Sequence, residues 1–196
     1  YHPGWFQGDY DKYNRPMRLA REFASFVIYQ SEFCKIYSDE YLGRVEVPYR
    51  VIHNAVDEKL FRPITTVCSE TEFGLRPFKL LMLSVTHDLA QVARIVAAAQ
   101  FISERGFACE LSIAGHVDVE VRRFVDSKIK KLSDANVHVV PRVPRAKLPA
   151  LIQSHHCYLH TKIDDPCPNI VLEALSCGLP VICDESGGTL ERVGPR

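Results

Sequence analysis

The chain has 196 residues, of which 46% are hydrophobic, so it is long enough to bury a core and to form one large domain or parts of two. This composition excludes a disordered or fibrous protein. The 24 lysines and arginines balance the 24 aspartates and glutamates, which excludes a global field that would attract nucleic acid or an acidic membrane. Any anion must therefore be bound by a local site.

The cysteines and the apolar runs indicate in which cellular compartment the protein is expected. The seven cysteines are odd in number and lack paired CxxC spacing, and Cys109, Cys157 and Cys183 lie inside apolar runs. This usage is typical of reduced core thiols, so we expect a cytoplasmic protein without a disulfide framework. No apolar run reaches the roughly 18 residues of a membrane span, and no signal peptide is recognisable. The start at Tyr1 and the "VGPR" end suggest a fragment.

Strand-like and helix-like segments alternate in the first part of the chain. Residues 25–30 predict a buried strand, and residues 31–43 predict a helix with Ser31 at its N-cap. Residues 49–54 predict the next strand. Residues 55–78 carry scattered Pro, Thr and Gly without a clear period, which indicates a linker between lobes. The aromatic start of the chain fits either a loop of the first lobe or irregular coil.

The alternation becomes regular from residue 79. Apolar runs predict five strands, at residues 79–85, 109–115, 137–143, 157–163 and 179–185. Amphipathic or apolar helical patterns predict four helices, at residues 88–105, 118–132, 145–154 and 168–177. Continuous apolar strands that alternate with helices predict a parallel sheet covered on both faces, hence a doubly wound α/β lobe.

The helix predicted at residues 168–177 is apolar except for three polar residues, Asn169, Glu173 and Ser176. Pro168 suits its opening turn, and Gly178 can take the left-handed conformation that ends it. Such a helix is buried on most of its circumference, so Glu173 needs either a gap to solvent or a partner that offsets its desolvation. Asn169 and Glu173 share one face near the N-terminal turn, where backbone donors favour anions.

Ligands of doubly wound lobes sit beyond the carboxyl ends of the strands. Two turns of this sequence fall at that edge. One is "TKIDDPCP", which leads into the helix bearing Glu173, and the other is "DESGGT". In the second turn, Gly187 and Gly188 would let the backbone approach a phosphate closely.

Two motifs carry a family resemblance. The segment "DDPCPNIVLEALSCGLPVICDESGGTLE" resembles the donor-binding signature of the retaining glycosyltransferases of family 4, which have the GT-B fold of two facing Rossmann-like lobes. The segment "VIHNAVDEKLFRP" is similar to the strand and turn that lead those enzymes from the first lobe into the second. The resemblance covers most of the chain from about residue 25, and it implies an α/β protein of GT-B type.

The resemblance also implies a domain organisation. Residues 1–62 would be the remnant of the N-terminal, acceptor-side lobe, residues 63–78 a linker, and residues 79–196 an incomplete C-terminal lobe that binds a nucleotide sugar. Much of the first lobe and the end of the second would be missing. We therefore expect this chain alone to show no glycosyl transfer and at best millimolar-range binding of a nucleoside diphosphate.

The family pattern has an acid, seven residues and then a glutamate, and Asp165 and Glu173 occupy these two positions. By resemblance, Glu173 would bind the ribose hydroxyls of the donor, and Asp165 would face the hydroxyls of the transferred sugar. The amides of Asn169 and Ile170 would hold the distal phosphate, beside the Gly187 and Gly188 turn. No metal or cofactor is implied, because backbone dipoles would neutralise the departing diphosphate.

The implied function is transfer of a sugar, with retention, from a nucleoside diphosphate sugar to a carbohydrate, lipid or protein acceptor that the sequence does not identify. The family usually supplies an Arg and a Lys after the first strand of the second lobe, whereas "SVTHDLAQVAR" offers no basic residue before Arg94. Asp165 replaces the commoner Glu, and Ala55 replaces a Gly. A catalytically weak or inactive member that binds a nucleotide or a protein partner is therefore the alternative.

Two other functions fit less well. A dinucleotide-dependent oxidoreductase is not favoured, because no G-x-G-x-x-G follows any predicted strand. The segment "SHHCYLH" contains four residues of types that bind zinc, His155, His156, Cys157 and His160. A zinc site is not favoured either, because no second cluster at ligand spacing completes it.

Overall fold

A computed structural model describes residues 9–63, 77–86, 89–129 and 135–194. The chain divides into two units. The smaller unit comprises the residues up to Ala55, the segment Asp164–Pro168 and the residues from Ser186 onward. The larger unit comprises Val56–Ile163 and Asn169–Glu185. The linker predicted at residues 63–78 lies mostly outside the described residues, and the predicted domain boundaries stay a prediction.

The N-terminal part of the smaller unit contains two helices and a pair of parallel strands: α1 (Tyr10–Glu22), β1 (Val27–Tyr29), α2 (Glu32–Leu42) and β2 (Tyr49–Val51). The predicted Ser31 N-cap is confirmed, since the Ser31 Oγ accepts a hydrogen bond of 3.0 Å from the Cys34 backbone N–H. The strand predicted at residues 49–54 is shorter than expected and ends at Val51. The start of the chain is a helix from Tyr10.

A buried arginine joins α1 to β1 and α2. The Arg21 side chain donates to the Tyr29 hydroxyl at 3.1 Å, to the Asp39 carboxylate at 2.6 Å and to the Gly43 carbonyl at 2.6 Å. Burial alone would raise the pKa of the Asp39 carboxyl, but hydrogen bonds from Lys35 and Arg21 outweigh it and lower this pKa. The charge of Arg21 is thus compensated inside the unit.

The larger unit is a five-stranded sheet with helices. The strands are β3 (Phe78–Thr86), β4 (Cys109–Val117), β5 (Ala135–Val140), β6 (Cys157–His160) and β7 (Val181–Cys183). The helices are α3 (Leu89–Ser103), α4 (Val119–Ile129), α5 (Leu148–Gln153), which follows a 3₁₀ turn at Arg145–Lys147, and α6 (Asn169–Ser176). The strand order is β5-β4-β3-β6-β7 with every pair parallel, so the predicted five-stranded parallel α/β sheet is confirmed.

Several predicted bounds were wrong at the carboxyl ends of strands. The strand predicted at 137–143 runs from Ala135 and ends at Val140, because Pro141 has no N–H for the ladder. The strand predicted at 157–163 ends at His160, and the one predicted at 179–185 is confined to Val181–Cys183. Pairing of β4 with β5 ends at Val140, and pairing of β6 with β7 ends at His160 and Cys183. Parts of the helices predicted at 88–105 and 118–132 lie outside the described residues.

The core of the larger unit lies between its central strands and the helices α3 and α4. Leu111 and Ile113 on β4 are fully buried, as are Val92 and Ile95 on α3. Burial of this apolar surface is the main stabilising contribution in such a unit. Among the described residues, no helix is long and apolar enough to cross a membrane.

The described cysteines are free thiols, and burial raises the pKa of the Cys109, Cys157 and Cys177 thiols. Over the part of the chain that the structure describes, no three His, Cys, Asp or Glu side chains are grouped so that they could hold a metal ion. In "SHHCYLH", the His156 Nδ1 instead accepts a hydrogen bond of 2.9 Å from the Lys79 backbone N–H.

We expect Ile113→Ala to lower the free energy of unfolding by about 2–5 kcal/mol, because it opens a cavity in a fully buried site. Ile182→Ala on the edge strand β7 is the matched control, since Ile182 is 62% exposed, and it should cost less than about 1 kcal/mol. Urea denaturation of both variants measures the difference. Equal losses would contradict the placement of the core.

We also expect the free energy of unfolding to fall as the pH is lowered from about 7.5 to about 5. Burial lowers the pKa of His155 and of His156, and the Lys79 charge also lowers that of His156. As the pH falls, these histidines are therefore protonated in the unfolded chain before they are protonated in the folded protein. The stability that is present above pH ~6.5 is lost as the pH falls toward the lowered pKa values of the folded protein.

His156→Gln should weaken this pH dependence, whereas His53→Gln, which removes an exposed histidine, is the control. Denaturant unfolding at a series of pH values measures both. An unchanged slope in His156→Gln would show that protonation of this ring does not oppose folding.

Candidate functional site

Helix α6 begins at the exposed Asn169 and ends near Gly178, whose φ of +80° is the left-handed value expected at the end of a helix. The Gly178 N–H donates to the Leu175 carbonyl at 2.9 Å. The inner side of the helix is apolar, and Val171 and Ala174 are fully buried. The predicted helix and its glycine ending are confirmed.

Glu173 lies on this helix with only 8% of its side chain exposed. Its desolvation is offset by Arg145, whose Nη1 donates to the Glu173 Oε1 at 2.7 Å. The sequence required either a gap to solvent or a partner for this carboxylate, and the structure provides the partner. Arg145 was not anticipated; its only sequence signal is a basic residue in the turn that follows an apolar strand.

Arg145 is itself held against the protein by an aromatic ring. Its Cζ lies 5.1 Å from the centroid of the Phe61 ring, within the range of a cation–π contact. Phe61 is completely buried, and its carbonyl accepts a hydrogen bond of 2.6 Å from the Ser176 Oγ in the last turn of α6. Residues 61, 145 and 173 therefore form one packed group in the larger unit.

This ion pair is asymmetric, because 62% of the Arg145 side chain is exposed while Glu173 is buried. Removal of one partner from a fully buried pair costs about 3–5 kcal/mol, and solvent around the guanidinium reduces the cost here. A carboxylate offers about four lone-pair positions. One bond from Arg145 therefore leaves Glu173 able to accept from a ligand as well.

A second arginine lies at the carboxyl end of the sheet. The Arg94 Nη2 on α3 donates to the Thr161 carbonyl at 2.7 Å, and Thr161 directly follows β6. The chain order reverses between β3 and β6, so their carboxyl ends form the topological switch point at which doubly wound sheets bind ligands. Arg94 is thus a cation at the expected ligand edge of the larger unit.

Asp165 belongs to the smaller unit, in a turn held by hydrogen bonds. The preceding Asp164 has a positive φ of 53°, and its N–H donates to the Ser186 Oγ at 2.8 Å. The Asp165 carbonyl accepts from the Gly188 N–H at 2.9 Å. The backbone of Asp165 is therefore fixed independently of its side chain.

Gly187 and Gly188 open the 3₁₀ turn Gly187–Thr189, which continues into the short helix α7 (Leu190–Val193). A Cβ atom on Gly187 would lie 2.6 Å from the Asp165 carbonyl oxygen, and one on Gly188 would lie 2.0 Å from the Pro166 carbonyl oxygen. Gly187 also has a φ of +73°. Packing against this backbone therefore requires glycine at both positions, whatever ligand the turn receives.

The sequence did not predict that the carboxylate of Glu191, on α7, binds backbone N–H groups in the first turn of α2. The Glu191 Oε2 accepts from the Glu32 N–H at 3.0 Å, and its Oε1 accepts from the Phe33 N–H at 2.9 Å. These are backbone donors that the helix itself leaves unpaired. Glu191 therefore caps α2 together with Ser31. Nothing in the sequence indicated this role, because Glu191 and Glu32 are 159 residues apart.

The structure distributes the predicted site residues over both units. Asn169, Ile170 and Glu173 lie on α6 in the larger unit. Asp165, Gly187 and Gly188 lie together in the smaller unit, as described above. Their roles in donor binding and catalysis stay predictions.

Solved structures with the same fold were found by comparison. The structure of Anabaena HepE in complex with UDP-glucose is 22% identical in sequence, with a TM-score of 0.77 over 99% of this chain and 53% of that chain. Sucrose-phosphate synthase from Thermosynechococcus elongatus is 20% identical, with a TM-score of 0.77 over 94% of this chain and 47% of that chain. A glycosyltransferase from Rickettsia africae is 15% identical, with a TM-score of 0.70 over 94% and 51%.

The fold is therefore α/β of the GT-B type, and the chain spans about half the length of these structures. A comparison with curated protein sequences gave no significant match. The model of the family described as "Glycosyl transferases group 1" matches residues 70–196, which is well over half of the chain. The chain therefore belongs to the group 1 glycosyltransferase family.

Proposed function

We propose that the protein transfers a hexose from a nucleoside diphosphate sugar to an acceptor, as a retaining glycosyltransferase of family 4. In this reaction the bond between the anomeric carbon and the distal phosphate oxygen breaks. The acceptor hydroxyl oxygen bonds to the anomeric carbon on the same face, its proton passes to the departing phosphate oxygen, and the nucleoside diphosphate leaves. The acceptor is a carbohydrate, a lipid or a protein.

The observation that carries this proposal is the arrangement of α6. Its N-terminus begins at the exposed Asn169, and Glu173 lies four residues later with its carboxylate paired to Arg145. A helix N-terminus attracts a phosphate, and a carboxylate accepts from two neighbouring hydroxyls. One short helix would thus bind the diphosphate through the amides of Asn169 and Ile170, and the ribose through Glu173.

In the same proposal, Asp165 binds the hydroxyls of the transferred sugar, and the backbone at Gly187 and Gly188 contributes to donor binding. Helix dipoles and amides would neutralise the leaving diphosphate, so we propose a metal-independent reaction. HepE has been solved with UDP-glucose, UDP, and UDP with glucose, which makes UDP-glucose the first donor to test. Free thiols at the described cysteines are compatible with a cytoplasmic location.

Catalytic weakness is the second candidate. The family's usual Arg and Lys are absent from "SVTHDLAQVAR", and charge-assisted contacts contribute about 1.5–3 kcal/mol each. Arg94 lies at the carboxyl end of β6, where a single cation could replace part of this loss. Titration with nucleoside diphosphate sugars followed by an assay of transfer and hydrolysis separates the candidates. Binding without turnover in the protein of full native length would support an inactive nucleotide-binding module.

Glu173→Ala should weaken donor binding by about 10- to 100-fold with a smaller change in kcat, because a ribose contact is equally strong in the ground and transition states. Calorimetric titration with the donor, together with steady-state kinetics, measures this split. Glu104→Ala, at an exposed position beyond α3, is the control and should leave both constants unchanged. Wild-type affinity in Glu173→Ala would remove Glu173 from the donor site.

Asp165→Ala should lower kcat by about tenfold or more and change donor affinity less, because its contacts to the reacting sugar strengthen in the transition state. The turn should survive this change, since it is the Asp165 backbone that binds Gly188. Steady-state kinetics with the true donor provide the test, with Asp126→Ala on the exposed face of α4 as control. A variant that lost affinity but kept kcat would contradict the assigned role.

A further inference from the structure

We propose that Arg145 recognises the nucleobase of the donor and that it selects a base with an exposed carbonyl oxygen, uracil or guanine, over adenine. This inference rests on the proposed function, because it takes Glu173 as the ribose ligand. Arg145 lies outside the two sequence motifs, and neither motif indicates which base the donor carries.

A nucleotide bound to α6 as proposed would lie in one direction along the helix. A phosphate at the N-terminus of α6 lies near Asn169, about 6 Å along the helix axis before Glu173. In a ribose, the 2′ and 3′ hydroxyls lie between the carbon that carries the base and the carbon that leads to the phosphate. When one carboxylate accepts from both hydroxyls, the base and the phosphate diverge on opposite sides of it. The base therefore lies beyond Glu173, away from the N-terminus.

Arg145 contacts both this carboxylate and Phe61, which is bonded to the last turn of α6. Its guanidinium packs over the ring of Phe61, and the Phe61 carbonyl is bonded to the hydroxyl of Ser176. Ser176 lies one turn beyond Glu173 toward the C-terminal end of the helix. Through Phe61, Arg145 is thus linked to the end of α6 that is opposite to the proposed phosphate site, and its Nη1 lies 2.7 Å from the Oε1 of the carboxylate that would hold the ribose.

Arg145 offers hydrogen-bond donors to a base bound beside Glu173. The guanidinium has five N–H donors and no acceptor. Its only side-chain hydrogen bond to the residues that the structure describes is the one to Glu173, and 62% of its side chain is exposed. Its planar fork matches the O6 and N7 acceptors of guanine, and it can donate to the carbonyl oxygens of uracil. The corresponding edge of adenine presents an amino donor, which repels these N–H groups.

Phe61 and Glu173 make this recognition specific, because they fix the plane and the direction of the guanidinium before a ligand arrives. A free arginine side chain loses rotamer entropy when it binds. Arg145 is already held by an ion pair at one nitrogen and by an aromatic ring at one face. The remaining donors can therefore discriminate between bases with little further ordering.

The test is calorimetric binding of UDP, GDP and ADP to the protein of full native length and to its Arg145→Lys variant. Lysine keeps a positive charge for Glu173 but lacks the planar fork. We expect the wild type to bind UDP or GDP at least about tenfold more tightly than ADP, and Arg145→Lys to lose this preference. Arg142→Lys, at an exposed position in the same turn, should keep it.

A series of uridine, UMP and UDP, or of the guanosine compounds if these bind better, shows which part of the ligand Arg145 contacts. The variant should weaken all three by the same factor, because the contact is to the base. A loss that grows with the number of phosphates would make Arg145 a phosphate ligand and overturn the inference. Equal wild-type affinity for ADP, or an equal loss for all bases in the variant, would overturn it too.

Thermal unfolding of Arg145→Lys and Arg145→Gln controls for misfolding. Failure of both variants to fold would make Arg145 a structural residue only and would contradict the inference. Absence of binding of every nucleotide to the wild type would instead contradict the proposed function, and this inference with it. The two failures are thus distinguishable.

Discussion

The larger unit depends on the compensation of one buried carboxylate. Helix α6 must bury most of its circumference against the sheet, and this burial takes Glu173 out of water. An isolated carboxylate in such a position is costly, and the bond from Arg145 offsets this cost. Arg145 in turn rests on the buried ring of Phe61. One electrostatic requirement thus links three segments that are far apart in the sequence.

The smaller unit also contains a buried charge, that of Arg21, which is compensated by backbone and side-chain acceptors. Arg21 is buried among carbonyl and carboxylate acceptors from α2 and the residues around it. Glu191 closes the N-terminus of the same helix from the far end of the chain. Gly188 allows its backbone to approach Pro166 more closely than any side chain would permit. Arg21 and Glu191 therefore stabilise the fold of this unit.

Because the net charge of the chain is zero, the proposed binding of an anionic donor would have to rely on local charges and dipoles. The carboxyl edge of the sheet provides Arg94 near Thr161 and the N-terminus of α6. Arg145 is partly neutralised by Glu173, so its proposed contribution to donor binding would be the direction and geometry of its hydrogen bonds more than its net charge. This division would place affinity for phosphate at one end of α6 and selectivity for the base at the other.

The sequence by itself determined the α/β class, the five parallel strands and the α6 helix with its glycine ending, because these follow from local periodicity and backbone preferences. It also predicted that Glu173 needs either a gap to solvent or a partner, since the burial of the helix alone makes an isolated carboxylate costly. It did not identify Arg145, which is 28 residues away in the chain, or the capping role of Glu191, 159 residues from Glu32. Strand ends such as Val140 also differed, because pairing requires a neighbouring strand. Only the tertiary structure decided these contacts, since residues distant in sequence carry no local signal of which groups folding will bring within hydrogen-bonding distance.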